Sequence, residues 1–168
     1  MKAGVGRTYG DVRMTSRPGR DLLLAAGMLS GCVAVLHVAI MLYGGNAYRY
    51  FGAGERMARM AERGSSEPAV ITTTLVLLFG AWAAYAFSGA GVIAPLPWLR
   101  SSLPMIGFVY TARGLVVIPQ VFLWLSVGSA GVPLRHLVFS TASLVVGATY
   151  VAGTYLAWRT LPLAHVGR

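Results

Sequence analysis

The feature that most constrains this chain is the spacing of its charges, which leaves four apolar stretches of bilayer length. Leu22 to Tyr43 is interrupted only by Gly27, Ser30, Gly31 and His37. Three more stretches follow, about Ala69 to Gly89, Leu103 to Val127 and Leu137 to Trp158. At 1.5 Å per residue, roughly twenty residues of helix cross a hydrocarbon core about 30 Å thick. In lipid, a spanning segment must satisfy its backbone groups internally, so each of these stretches is predicted to be a helix. The expected fold is all-α, a transmembrane four-helix bundle in one membrane domain covering residues 1–168. Composition agrees: 56% of residues are hydrophobic and 11% charged, against roughly 25% charged in soluble domains.

Local signals bound the spans. Ser65, Ser66 and Glu67 are candidate N-caps for the second, Pro68 suits a first helical turn, and Gly89, Gly91, Pro95 and Pro97 stop it. The third follows Ser101 and Ser102 with Pro104 in its first turn. The fourth follows Gly131 and Pro133 and ends before Pro162. Lys2, Arg7, Arg13, Arg17 and Arg20 precede the first span, as in a signal peptide. That apolar run exceeds an h-region of about 7–15 residues and no Ala-x-Ala site follows, so it is read as a retained helix.

Orientation follows the Lys and Arg bias near the spans. Residues 1–21 form a basic tail; with Arg100, Arg159 and Arg168 they place eight basic residues on one side. Arg49, Arg56, Arg59, Arg63 and Arg135 place five on the other. Both termini are therefore expected to be cytoplasmic, and the loop 44–68 outside. In that loop Ala53, Met57, Met60 and Ala61 recur at helical spacing, with Glu55 and Arg59 as an i, i+4 pair. A short amphipathic helix is predicted, lying on the outer membrane surface or folding back as a lid. Tyr48, Tyr50 and Phe51 are too apolar for a solvated connection, so residues 48–55 are expected to dock over the bundle.

Small residues at four-residue spacing let membrane helices approach closely. Gly27, Ser30, Gly31 and Ala34 form such a face on the first span. Gly80, Ala84 and Ser88 form one on the second, and Ser140, Ser143, Gly147 and Thr154 one on the fourth. They suit packing within a bundle; Gly27 and Gly31 would also suit a homodimer.

Arg113 is the outlier, a charge about 15 Å from the nearer end of the third span. At 100° per residue it shares a face with Tyr110 and Gln120, a polar stripe expected to turn inward. An intramembrane Arg normally meets a carboxylate, yet all five acidic residues lie outside the spans. Arg113 is then satisfied by carbonyls, hydroxyls and water, with Pro119 freeing the carbonyl near Leu115. Alternatively it awaits an anion such as a lipid phosphate, a fatty carboxylate or a quinone oxygen, or it snorkels to an interface.

His37 lies within the first span and is read as a hydrogen-bonded packing residue or as a proton relay with Tyr43, Gln120 and Glu67. Haem would want a second His at that depth; His136 sits at a span end and His165 in the tail, so no cofactor is expected. Cys32 is the only cysteine, which excludes an internal disulfide and cysteine-based metal sites. No intramembrane carboxylate completes a nucleophilic triad. The net charge of +9 is scattered through tails and loops rather than clustered, which argues against nucleic-acid binding.

The segments Tyr48 to Glu55, Ser88 to Gly91 and Arg113 to Leu115 resemble a group of small uncharacterised bacterial four-helix integral membrane proteins. The resemblance implies membrane location alone and transfers no functional residue. The expectation is a multi-pass protein of a bacterial inner membrane, an accessory or ligand-sensing bundle binding a lipophilic anion near Arg113. Its candidate polar core is Tyr110, Arg113, Gln120 and His37. The alternatives are a purely structural partner subunit of a membrane complex, then an enzyme acting on a lipid or quinone.

Overall fold

The computed structural model describes residues 17–161; the basic tail up to residue 16, with His165 and Arg168, lies outside the described residues. Among these residues there are seven α-helices, one 3-10 turn and no strand. They are α1 (Arg17–Tyr43), α2 (Gly45–Tyr50), α3 (Glu55–Glu62), α4 (Glu67–Gly89), α5 (Leu99–Gly114), α6 (Val117–Val127) and α7 (Leu134–Ala157). Four segments are long and apolar enough to cross a membrane: α1, α4, α5 with α6 taken together, and α7. Large apolar side chains such as Leu42, Phe108 and Phe122 face outward, as expected of a surface covered by lipid.

The helices outrun the apolar stretches that define them. Helix α1 begins at Arg17, before the first apolar residue of its span, with Pro18 in its first turn. Helix α4 starts two residues earlier than its apolar run, with Ser66 at its N-cap and Pro68 in its first turn. The third span is where the difference matters: it is two helices, not one. Pro119 has no N–H, so the i−4 carbonyl, that of Leu115, receives no bond from it. The Ile118 N–H turns back to Leu115 O at 3.0 Å, a tighter i, i+3 turn, and the α-helical ladder resumes with Gln120 N–H on Val116 O.

Helix α1 lies along α4 and α7, and α5 lies along α7. Glycines make the closest approaches. A Cβ on Gly107 would meet Tyr150 and Val151, one on Gly114 the backbone of Leu144, and one on Gly147 the backbone of Thr111. These contacts fix the antiparallel register of α5 against α7. Gly27 closes against the Phe87 ring of α4, whereas Gly31 and Gly80 face open space. The buried core runs through Leu23, Ala26, Ala86, Leu103, Ile106, Tyr110, Val146 and Tyr150. At the end away from α2 and α3, Arg100 donates twice to Leu161 O and stacks on Trp158.

The segment between α1 and α4 is folded onto the helix ends. Gly44, at φ 69°, turns the chain directly from α1 into α2. Tyr48 is 3% exposed and donates its hydroxyl to Pro68 O at 3.2 Å, with Thr72 Oγ1 at 3.0 Å. Phe51 stacks on Phe139 of α7, with ring centroids 5.5 Å apart. Helix α3 turns Met57, Ala58 and Ala61 toward Ile40 and Tyr48 and leaves Arg56, Arg59, Glu62 and Arg63 exposed. Ala58, rather than Ala53, is its fully buried residue.

Arg49 clasps α2 to α3. Its Nε and Nη2 donate to Glu55 at 2.8 and 3.1 Å, and Nη1 and Nη2 to Glu62 at 2.5 and 3.0 Å. Arg59 adds an i, i+4 pair with Glu55 at 3.3 Å. Hydrogen bonds from Arg49, with its charge, hold both carboxyls below the usual carboxylate range despite an opposing effect of desolvation. Carboxyls depressed in the folded state stabilise the clasp above their unfolded pKa and lose that contribution as pH falls through the folded value. A spin label at position 53 should therefore stay immobile down to about pH 4, the ordinary carboxylate range, and gain mobility only as pH falls below it, through the depressed folded values. In Arg49→Met it should already be mobile at neutral pH; a label equally immobile in all these conditions rules the clasp out.

Candidate functional site

The polar residues of the third span do not stay together: Tyr110 and Arg113 lie on α5, and Gln120 lies on α6 beyond the break. Up to Tyr110 the predicted stripe faces the interior: Ile106 and Tyr110 are buried. Beyond it Arg113 is exposed, Gln120 is half-buried and α6 buries no residue at all. Tyr110 and Arg113 share α5, so it is the long Arg113 side chain that leaves the stripe, whereas Gln120 lies past the tight turn, through which a phase of 100° per residue does not carry.

Tyr110 belongs to a buried hydroxyl chain. It donates to Ser30 Oγ at 3.2 Å, and Tyr150 donates to Trp82 O at 2.9 Å. Ser30 Oγ and Tyr150 Oη lie 2.9 Å apart. Each hydroxyl has one proton, so Ser30 is the donor to Tyr150 and the chain runs Tyr110, Ser30, Tyr150, Trp82 O. Aromatic contacts extend it: Tyr110 lies 5.8 Å from Tyr150, 5.1 Å from Trp82 and 6.0 Å from Phe79.

Among the described residues Arg113 has one hydrogen bond, from Nη1 to Ser140 Oγ at 3.1 Å. The glycine contacts pair Gly114 with Leu144 and Gly147 with Thr111, which puts Arg113 at about the height of Leu144. Ser140 lies one helical turn from Leu144, toward the end that carries α2 and α3. The side chain thus runs along α7 to end on the buried Ser140 hydroxyl. Among the described residues the ion pairs all lie between residues 49 and 67, and none includes Arg113. Leu115 O, freed from Pro119, is taken by Ile118 and not by the guanidinium.

His37 is half-buried; Nδ1 lies 2.7 Å from Val33 O and the ring 5.0 Å from that of Phe79. A carbonyl only accepts, so Nδ1 carries the proton. Gln120 Oε1 is buried with no hydrogen-bond partner among the described residues. The structure therefore places His37 beside Phe79 and Tyr110 within the bonded core of Ser30 and Tyr150, but gives Arg113 and Gln120 separate surroundings. Among the described residues no three His, Cys, Asp or Glu side chains gather as metal ligands. Sequence patterning misses Ser30, Trp82 and Tyr150 as polar partners and Ser140 as the acceptor for Arg113. It shows Ser30 and Ser140 only as small packing residues.

Compared with known proteins, the chain matches no family model, no curated protein sequence and no solved structure.

Proposed function

We propose that this chain is a non-catalytic four-helix bundle of a bacterial inner membrane, an accessory or ligand-sensing protein that binds a lipophilic anion at Arg113. Arg113 carries the reading: it is a largely exposed residue midway along a bilayer-length segment, its guanidinium making one hydrogen bond and having no carboxylate partner among the described residues. A guanidinium has five N–H donors in a planar fork that matches phosphate and carboxylate oxygens. In hydrocarbon the unused donors are costly, so an anionic headgroup drawn to Ser140 and Arg113 would lower that cost.

Native mass spectrometry of gently purified protein tests this directly. Wild type should retain anionic lipid, Arg113→Leu should retain at least tenfold less, and Arg113→Lys should recover only part, lacking the fork. Equal retention by wild type and Arg113→Leu would overturn the proposal. It would favour a structural partner subunit, in which Arg113 is satisfied internally.

The Lys and Arg bias supports an orientation with both termini cytoplasmic and α2 and α3 periplasmic. Reporter fusions at the C-terminus and within residues 44–68 should report opposite sides in that sense. The reverse pattern would sink the orientation.

A further inference from the structure

Beneath α2 and α3 lies a half-open pocket of about 410 Å³, distinct from the surroundings of Arg113. Its walls come from α1, α2, α3, α4 and the turn after α2, and include His37, Tyr48, Phe51, Met57, Ile71 and Thr72. The volume falls in the range of small-molecule sites, which are mainly apolar with a few convergent polar groups. Among the described residues, no Asp, Glu, Lys or Arg lines it.

The polar groups of this wall have an unusual inventory: they accept and do not donate. Thr72 Oγ1 donates to Pro68 O at 2.8 Å, and Tyr48 Oη lies within reach of both Pro68 O and Thr72 Oγ1. Two hydroxyl protons are thus spent inside one three-atom cluster, whichever way the Tyr48 proton points. The Nδ1 proton of His37 is spent on Val33 O. In the neutral imidazole the remaining nitrogen, Nε2, is an acceptor, and it has no partner among the described residues. An anion or a bare carbonyl finds no donor here, whereas a hydroxyl finds an acceptor.

We infer that this pocket is a binding site for an apolar molecule with a hydroxyl head, an alcohol or phenol, whose O–H donates to His37 Nε2 while its tail lies among Phe51, Met57 and Ile71. The site is pre-formed, because Tyr48 pins its roof to α4 and the Arg49 clasp ties α2 to α3. It is independent of Arg113 and takes the opposite chemistry, a neutral donor rather than an anion.

The test uses a matched pair of probes, 4-octylphenol and its methyl ether, titrated into the full chain in detergent. Binding is read as displacement of a spin-label signal at position 53 and as a rise in Tm. The phenol should bind about tenfold more tightly than the ether, the size of one hydrogen bond to a polar acceptor. His37→Phe keeps an aromatic ring against Phe79 and should fold with a wild-type helical spectrum. It should bring phenol affinity down to that of the ether, while Arg113→Leu leaves phenol binding unchanged. Equal binding of the two probes by wild type, no binding of either, or undiminished phenol preference in folded His37→Phe would each overturn the inference. Should His37→Phe not fold, His37→Gln replaces it: an amide oxygen there should retain part of the preference, and complete retention of it or binding of neither probe would again count against His37.

Discussion

Alanine at Gly114 or Gly147 is expected to destabilise the protein by about 3 kcal/mol, the upper end of what overpacking a close interface costs. A Cβ at Gly114 would lie 2.5 Å from Leu144 Cα, and one at Gly147 would lie 2.6 Å from Thr111 N, with Thr111 Oγ1 nearer still. These obstacles are backbone, so no rotamer change relieves them and α5 must move away from α7. Lipid supplies no hydrophobic drive to hold the helices together once their surfaces part. Gly31→Ala and Gly80→Ala are the controls, since nothing lies within 4 Å of a Cβ at either site. There the better helix propensity of alanine, up to about 1 kcal/mol, should leave stability unchanged or raised. Unfolding midpoints in graded SDS would measure all four. Equal midpoints for Gly114→Ala and Gly31→Ala would show that the α5–α7 contact is not close-packed.

How much of this architecture is legible in the sequence depends on how local its causes are. The four spans are legible because bilayer thickness and backbone satisfaction leave a long apolar stretch one conformation. The Ser66 and Pro68 start of α4 is legible for equally local reasons. Helix α2 is not: Gly45–Tyr50 is six residues, too short for a period to show, and its stability comes from Gly44 and the distant bonds of Tyr48. Gly107, Thr111 and Gly114, spaced by four and three, form a small face too, but that the Gly114 face meets backbone is decided only by Leu144 of α7.

Arg113 stands out in the sequence because its cost depends only on depth. Its direction does not, since that depends on Ser140 from another helix. His37 shows the opposite case. In an apolar span the nearest acceptor for an imidazole N–H is a carbonyl of its own preceding turn, and Val33 O is where Nδ1 goes. Local partners can be anticipated from one stretch of sequence. Partners such as Ser30 and Tyr150, 120 positions apart, exist only once α1 and α7 meet.

Tyr150→Ala should cost about 3–5 kcal/mol, the range for removing a large buried aromatic side chain. Tyr150 is 0% exposed and is the largest fully buried side chain, stacked on Tyr110 and bonded to Ser30 and Trp82 O. Truncation removes the ring from the point where α1, α4, α5 and α7 share one hydrophobic cluster. Tyr150→Phe separates the ring from its hydroxyl. Trp82 O keeps the helical N–H of Ala86, and Ser30 keeps Tyr110 as its donor, while the Ser30 proton that loses Tyr150 can turn to a carbonyl of the preceding turn of α1, as helical serines do. The loss should then be that of one net hydrogen bond, about 1 kcal/mol. Ser30→Ala should fall between the two, because it leaves the Tyr110 hydroxyl, on a residue 5% exposed, without an acceptor. Measured as SDS unfolding free energies, the order Ala at 150, Ala at 30, Phe at 150 identifies packing as the larger contribution. If Tyr150→Phe were as damaging as Tyr150→Ala, the hydroxyl chain rather than the ring would be what holds the four helices in register.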